Sequence, residues 1–303
     1  MKYDVAGDPM TGLRWVRRTP QKIADELKKL GIEVSRTTVA RLLKQMHFSL
    51  RVNHKKISSC SNEDRNKQFE YIASLREKFA RRGNPVISVD TKKKEIIGQF
   101  KNAGTTWRRE PTLVKDHDFR SEAVGMGIPY GLYDTAENCG TVVVGTSHDT
   151  SEFAVASIIK WWRRQGQRGY PGAKQLLILA DNGGSNAPRT RAWKYHLQQR
   201  LCEEFGISVT VVHYPPGASK WNPIEHRLFS EVSKNWQGHP LDSYETCVNY
   251  IARTRTATGL KVTAYLDQKN YPDKVKITPD QMALVRLRPH GTLPSWNYTI
   301  SPR

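Results

Sequence analysis

Cysteine is scarce in this chain. Four occur in 303 residues, Cys60, Cys139, Cys202 and Cys247, and no two are spaced as CxxC. That spacing excludes a zinc ribbon and gives no disulfide framework. Long apolar runs are missing too, and the mean hydropathy is −0.63, which excludes a membrane-spanning helix. The first residues lack the apolar stretch of a secretory signal. Together these absences lead us to expect a reduced, cytoplasmic protein. Acid is the other shortage: 29 Asp and Glu stand against 48 Lys and Arg, leaving a net charge of +19. An imbalance of that size favours a polyanionic partner, of which nucleic acid is the commonest. What remains is ordinary. Hydrophobic residues make up 38%, enough to bury a core, and the length suits two domains or one large domain with an appendage.

The positive charge is uneven. Residues 1–56 carry thirteen Lys and Arg and five Asp and Glu, a local net of +8. Further basic runs are Lys92-Lys93-Lys94 and the group Arg163, Arg164, Arg168. Within the first region, TPQKIADELKKL (19–30) places Thr19 as a helix cap, Pro20 in the first turn and Ile23, Leu27 and Leu30 on one face. Gly31 ends that helix. SRTTVARLLKQM (35–46) repeats the pattern with Ser35 as cap and Val39, Leu42, Leu43 and Met46 as the apolar stripe. Two short helices joined by a tight turn match a helix-turn-helix. In such a unit the early residues of the second helix face the bases, here Arg36, Thr37, Thr38 and Arg41. The alternative reading is a plain helical hairpin. We therefore expect a small all-α DNA-binding region over 1–56. A basic linker (51–59) and an amphipathic helix over 62–81 with Phe69, Ile72, Leu75 and Phe79 as its stripe fill 57–84. A catalytic domain over 85–303 follows.

That domain alternates. VISVD (86–90) reads as a buried strand ending in a carboxylate, and EIIGQ (95–99) as its hairpin partner. Residues 101–126 are polar and irregular. Strands are expected at 128–134, 141–145, 176–180 and 209–212. Helices are expected at 151–162, 188–205 and from 222 to 236, then a helix at 243–257 and a strand at 261–266. Three early strands followed by alternating helices and strands fit an α/β mixed sheet flanked by helices, the ribonuclease H-like order.

Three carboxylates occupy telling places. Asp90 ends the first strand, Asp181 follows the strand LLILA, and Glu225 lies in the first turn of the helix after Trp221-Asn222-Pro223. Sites of open α/β sheets form at strand ends. Carboxylates gathered there repel one another until a cation compensates them. Oxygen ligands select hard ions, Mg²⁺ or Mn²⁺, and two such ions support phosphodiester transfer. The simpler alternative is that each acid merely caps its element. The loop after Asp181, Asn182-Gly183-Gly184-Ser185-Asn186, lets backbone approach a phosphate. Lys220 is a candidate phosphate contact and Trp221 a candidate stacking partner for an unpaired base, or else a residue sealing the loop. Lys92 and Lys94 beside Asp90, and Arg227 after Glu225, are further candidates for phosphate contact. His226 reads as structural.

These blocks resemble those of DDE transposases. YPPGASKWNPIEHRLFS (214–230) resembles the last-acid block of IS630/mariner-type transposases, in which a Pro-rich loop precedes N-P-x-E. The match extends further to the ISAzo13 family of bacterial insertion-sequence transposases, through LRW (13–15), SVDTKKKE (88–95), IPYGLYD (128–134), DTSEFAVASI (149–158), ADNGGSN (180–186) and WNYTI (296–300). The resemblance implies a ribonuclease H-like catalytic domain with Asp90, Asp181 and Glu225 as metal-binding triad. It implies Mg²⁺-dependent cleavage at element ends and transfer of the freed 3′-hydroxyl into target DNA. It further implies terminal repeats and target DNA as partners, a homodimer holding two ends, and a bacterial cytoplasmic, nucleoid-associated location. Family members carry more sequence before the LRW block, so a late start or a truncated, inactive copy is one expectation. A DNA-binding repressor and a ribonuclease H-like nuclease are the alternatives.

Overall fold

The computed structural model describes residues 5–7, 14–16, 18–48 and 62–303. The basic linker at 51–59, Cys60 and Leu13 of the LRW block lie outside the described residues. Contacts divide the chain into two compact units, Met1–Ile57 and Ser58–Arg303.

In the first unit, β1 (Val5–Gly7) and β2 (Arg14–Val16) form an antiparallel pair that the sequence reading did not anticipate. Two helices follow, α1 (Pro20–Lys29) and α2 (Arg36–Gln45). The expected caps are present. The Thr19 side chain accepts from the Lys22 N–H, and Ser35 accepts from the Thr38 N–H. Gly31 turns the chain at φ 79°, the left-handed conformation that favours glycine. The core is smaller than the two stripes. Ile23, Ala24 and Val39 are buried with Leu27, Val34 and Leu43 against them. Leu30, Leu42 and Met46, expected inside, are 74%, 43% and 64% exposed.

The second unit opens with α3 (Asn62–Arg81) and contains one sheet. Its strands are β3 (Val86–Thr91), β4 (Glu95–Ile97), β5 (Gly125–Asp134), β6 (Cys139–Gly145), β7 (Gln175–Ala180), β8 (Ser208–His213), β9 (Lys261–Asp267), β10 (Leu287–Pro289) and β11 (Asn297–Ile300). The order is β10-β11-β8-β7-β3-β5-β6-β9, with β4 beside β5. β3, β5 and β6 are antiparallel neighbours, and β7 and β8 run parallel to β3. A three-strand meander with two parallel strands added next to its first member is the ribonuclease H-like arrangement. EIIGQ does not pair with β3 as expected. β4 pairs with the start of β5, Glu95 opposite Gly127. β9 extends the sheet parallel to β6, and β11 extends it antiparallel to β8.

Period-two alternation divides the sheet residues between two faces. On one, Ile87, Val89, Leu176 and Ile178 pack with Phe153, Ile158 and Trp161 of α4 (Ser151–Trp161), and with Trp193 and Leu197. The second expected helix begins at Arg191 and continues through a wider π-type turn at Gln198–Cys202. On the other face, Leu177, Leu179 and Val212 meet Ile72, Leu75 and Phe79 of α3. Nearby, Val142 and Val144 meet Leu228, Val232 and Ile251. α3 is thus part of this unit and not a linker element. Its buried Gln68 exchanges two 2.7 Å amide hydrogen bonds with Asn297 of β11 and donates to the His213 carbonyl at 2.8 Å. The helix expected at 243–257 is shorter, Tyr244–Ala252. Among the described residues no helix is long and apolar enough to cross a membrane.

Candidate active site

The site is built from two parallel strand ends and one helix. Val89 of β3 is in register with Ala180 of β7, so the next residues, Asp90 and Asp181, emerge side by side at the carboxyl ends. The third acid comes from the segment that is helical from Pro223 to Asn235 and takes a π-type turn at Glu225–Phe229. Ser88 fixes that helix to the sheet. Although it lies in an apolar strand, Ser88 is fully buried. Its hydroxyl accepts from the Ile224 N–H at 3.1 Å and donates to the Asn222 side-chain oxygen. The Asn222 amide in turn donates to Asp181 at 2.9 Å and to the Val89 carbonyl at 3.4 Å. Asn222 therefore ties the Glu225 helix to both acid-bearing strands. Two glycines admit the helix to close range. A β-carbon on Gly131 would lie 2.4 Å from Phe229, and one on Gly140 would lie 2.5 Å from Leu228.

The electrostatics show mutual stress. Burial pushes the Asp90 carboxyl up to about 8, and the neighbouring charges of Asp181 and Glu225 push the same way against one backbone hydrogen bond from Thr91. Burial likewise raises Asp181 to about 6, with the Asn222 hydrogen bond opposing and Glu225 adding to the rise. Among the described residues no lysine, arginine or histidine ion-pairs with any of the three. An uncompensated, partly buried set of oxygen donors is the chemistry that a hard divalent cation satisfies. As the side chains stand, no group of three His, Cys, Asp or Glu among the described residues is drawn tightly enough to ligate one ion. The donor set fits Mg²⁺ or Mn²⁺ in kind.

A cleft of about 320 Å³ opens over the pair, lined by Asp90, Asp181, Lys93, Lys94, Asp149 and the Gly183-Gly184 turn. Glu225 reaches the acids from the helix side and is not part of this lining. Asp149 had no role in the sequence reading. It accepts a 3.1 Å hydrogen bond from the Thr91 hydroxyl, beside Asp90, and its charge joins that of Asp90 on the buried Tyr130 hydroxyl. Its sequence signals were its place immediately before the α4 cap, Thr150, and at the head of the DTSEFAVASI stretch.

The other candidates divide. Lys94 is exposed on the cleft, and so is Lys93. Lys92 also lines the cleft, with its ammonium paired with Glu95 and 4.6 Å from the Trp236 ring centroid. Trp221 is 57% exposed, edge-on to Phe69 at 5.9 Å, with the Lys220 ammonium 5.4 Å from its ring centroid. His226 bonds the Lys220 carbonyl, the structural role expected of it. Arg227 is exposed, is not among the residues lining the cleft, and acts electrostatically on Tyr133. In the first unit Arg36, Thr37 and Arg41 are exposed. The Thr37 and Thr38 hydroxyls, however, are hydrogen-bonded to Ser35, at 2.7 and 3.0 Å.

Comparisons with known proteins bear on this site. No curated protein matches the chain. Among solved structures, the Mos1 transposase paired-end complex with the left transposon end is similar at 16% identity and a TM-score of 0.44, covering 77% of this chain and 65% of that one. The mariner Mos1 paired end complex with Mg gives 14% identity and a TM-score of 0.45, with the same coverage. A simian T-cell lymphotropic virus intasome in complex with the PP2A regulatory subunit B56 gamma gives 13% and 0.30 over 69% of each chain. The present chain thus spans just under two thirds of the Mos1 chains it matches. The family model described as the Rhodopirellula transposase DDE domain matches residues 1–302, nearly the entire sequence, and the chain belongs to that DDE transposase family.

Proposed function

We propose that this protein is a DNA transposase that cuts at the ends of an insertion sequence and joins the freed end to target DNA. The observation that carries the reading is the approach of Asp90, Asp181 and Glu225 to one another at the β3 and β7 ends with no ion-pair partner among the described residues. Asp90, Asp181 and Glu225 would hold Mg²⁺ or Mn²⁺, which when bound supplies charge neutralisation and activates an oxygen nucleophile. In the first reaction, water adds to a backbone phosphorus. The P–O3′ bond breaks, and the departing oxygen takes up a proton to become a free 3′-hydroxyl. In the second, that hydroxyl adds to a target phosphorus and releases a target 3′-hydroxyl. Bonds broken and formed balance, and no covalent enzyme intermediate is needed.

The chain's own groups do the positioning. Lys93 and Lys94 face the phosphates over the cleft, Lys220 meets one beside it, and the exposed face of Trp221 stacks on an unpaired base. Asn222 holds Asp181 oriented. Arg36 and Arg41 on α2 read the terminal repeat, with the methyl groups of Thr37 and Thr38 available for apolar contact. Two copies hold two ends, as a homodimer acting in the bacterial cytoplasm at the nucleoid. The test is incubation of the full chain with its element-end DNA and Mg²⁺, beside Asp90→Asn and Glu225→Gln. Wild-type cleavage with a loss of at least about a hundredfold in both variants is expected, as for removal of a group acting on the reacting phosphate. Unchanged cleavage in the variants overturns the triad. Tight end binding without cleavage by wild type favours a repressor.

A further inference from the structure

We propose that Asp90 and Asp181 lie midway along one continuous groove that takes a single strand of nucleic acid, and that Arg189 is the phosphate-binding residue of its Asp181-side arm. The identity of the polymer rests on the transposase reading above. The cleft over the acid pair shares Asp181 and Gly183 with a second hollow of about 370 Å³, bounded by Arg189 and the Pro215-Pro216-Gly217 turn. On its other side it shares Lys94, Asp149, Gly184 and Ser185 with a third, of about 300 Å³, that reaches Lys274. The three hollows therefore adjoin, with the one over the acid pair in the middle.

The two arms differ in charge. The far arm sets Lys94 and Lys274 against Asp149, Glu152 and Asp273, so its field nearly cancels. The near arm carries Arg189 with Asp181 as its only acid, and the rest of its wall is neutral. Arg189 is exposed and, among the described residues, has no hydrogen bond or ion-pair partner. The wall also leaves room for a backbone: a β-carbon built on Gly183 or Gly217 meets nothing within 4 Å. A planar guanidinium on an open wall whose one acid is Asp181 suits bidentate phosphate binding. An acidic floor with Lys93 and Lys94 on its own wall and Arg189 on the Asp181 side then gives the strand a defined placement: phosphate on Arg189, the adjacent bond over Asp181 and Asp90.

The measurement is the affinity of the full chain for a fluorescein-labelled single-stranded oligonucleotide spanning the cut site, in EDTA, across a salt series. Each phosphate contact contributes about 0.7 to the slope of log K against log salt for single strands. Arg189→Ala is expected to lower that slope by about 0.7 and to weaken binding about 3- to 10-fold at low salt. Arg189→Lys keeps the slope. Arg163→Ala, whose guanidinium pairs with Glu204, changes neither quantity. Arg189→Cys is expected to exchange with a mixed disulfide tethered at the phosphate next to the cut, its thiolate taking the tether's sulfur and releasing the small capping thiol, and not with distant tethers. Wild-type slope and affinity in Arg189→Ala, or cross-linking indifferent to tether position, overturns the groove. A cleavage assay with Mg²⁺ separates the two ideas. Slope loss without wild-type cleavage keeps the groove and rejects the transposase reading, whereas cleavage without slope loss does the reverse.

Discussion

At the scale of single residues, the site depends on two side chains that touch no substrate. Ser88 and Asn222 are both fully buried, and each satisfies the other while holding a separate group: the Ile224 N–H for Ser88, the Asp181 carboxylate for Asn222. Removing one leaves buried partners unpaired, which costs about 1–3 kcal/mol. Asn222→Ala should therefore lower the denaturant midpoint by that amount. It should also raise the Mg²⁺ concentration needed for half-maximal cleavage about tenfold or more, as loss of a residue orienting a ligand does. Ser88→Ala with Asn222→Ala should show a coupling of about 0.5–3 kcal/mol in a double-mutant cycle; strict additivity would show that the pair does not act as a unit. Asp90, Asp181 and Glu225 stand out as candidates in the sequence because each follows an apolar run or a Pro-marked helix start. The sequence could not reveal Ser88, since a serine in VISVD looks like a tolerated polar residue until its helix partner arrives from 134 residues away. Nor could it show that the Lys92 ammonium meets Trp236, which is remote in the chain.

At the scale of elements, strand β5 is shaped to receive the Glu225 helix. Gly131 stands opposite Asp90 in the β3–β5 register, and the space a β-carbon would need is filled by Phe229 and Ile224. Gly131→Ala should overpack this contact and cost about 1–3 kcal/mol, read as a lower denaturant midpoint together with reduced cleavage as Glu225 is displaced. Gly183→Ala is the control, with open space around its β-carbon and an expected stability change within about 0.5 kcal/mol. Equal midpoints for the two variants would show that close approach at Gly131 is unimportant. The order of strands and helices was readable from periodicity, because β3 and β7 are contiguous apolar runs and α4 has a clean cap. Pairing was not. EIIGQ has strand character, but its partner is decided by where the long 98–124 connection returns, so β4 lies against β5 and not β3. The stripes of α1 and α2 overstated their core: among the described residues this two-helix contact encloses three buried side chains with three packed beside them.

At the scale of the whole molecule, a chain with a net charge of +19 concentrates uncompensated negative charge at one place, and this makes its stability depend on both pH and metal. Asp90 is raised to about 8 and Asp181 to about 6 from an ordinary 3.8. A raised carboxyl means that the folded state holds protons the unfolded state has already lost. The slope of stability against pH from this pair is therefore negative. Its contribution is fully present below about pH 4 and is lost as pH rises through 6 and then 8. The informative quantity is the difference between wild type and Asp90→Asn, which isolates this group. Without divalent cation, the melting temperature of wild type should fall relative to that of the variant between pH 5.5 and 8.5. The scale is about 2–4 °C for each kcal/mol in a unit of this size. Mg²⁺ at a hundredfold excess over its Kd should restore about 2.7 kcal/mol to wild type at pH 8, and distinctly less to Asp90→Asn, which has lost a ligand charge. Removing the ion with EDTA should reopen the gap. Parallel melting curves for the two proteins at every pH, with and without Mg²⁺, would mean that Asp90 bears neither the strain nor the cation assigned to it.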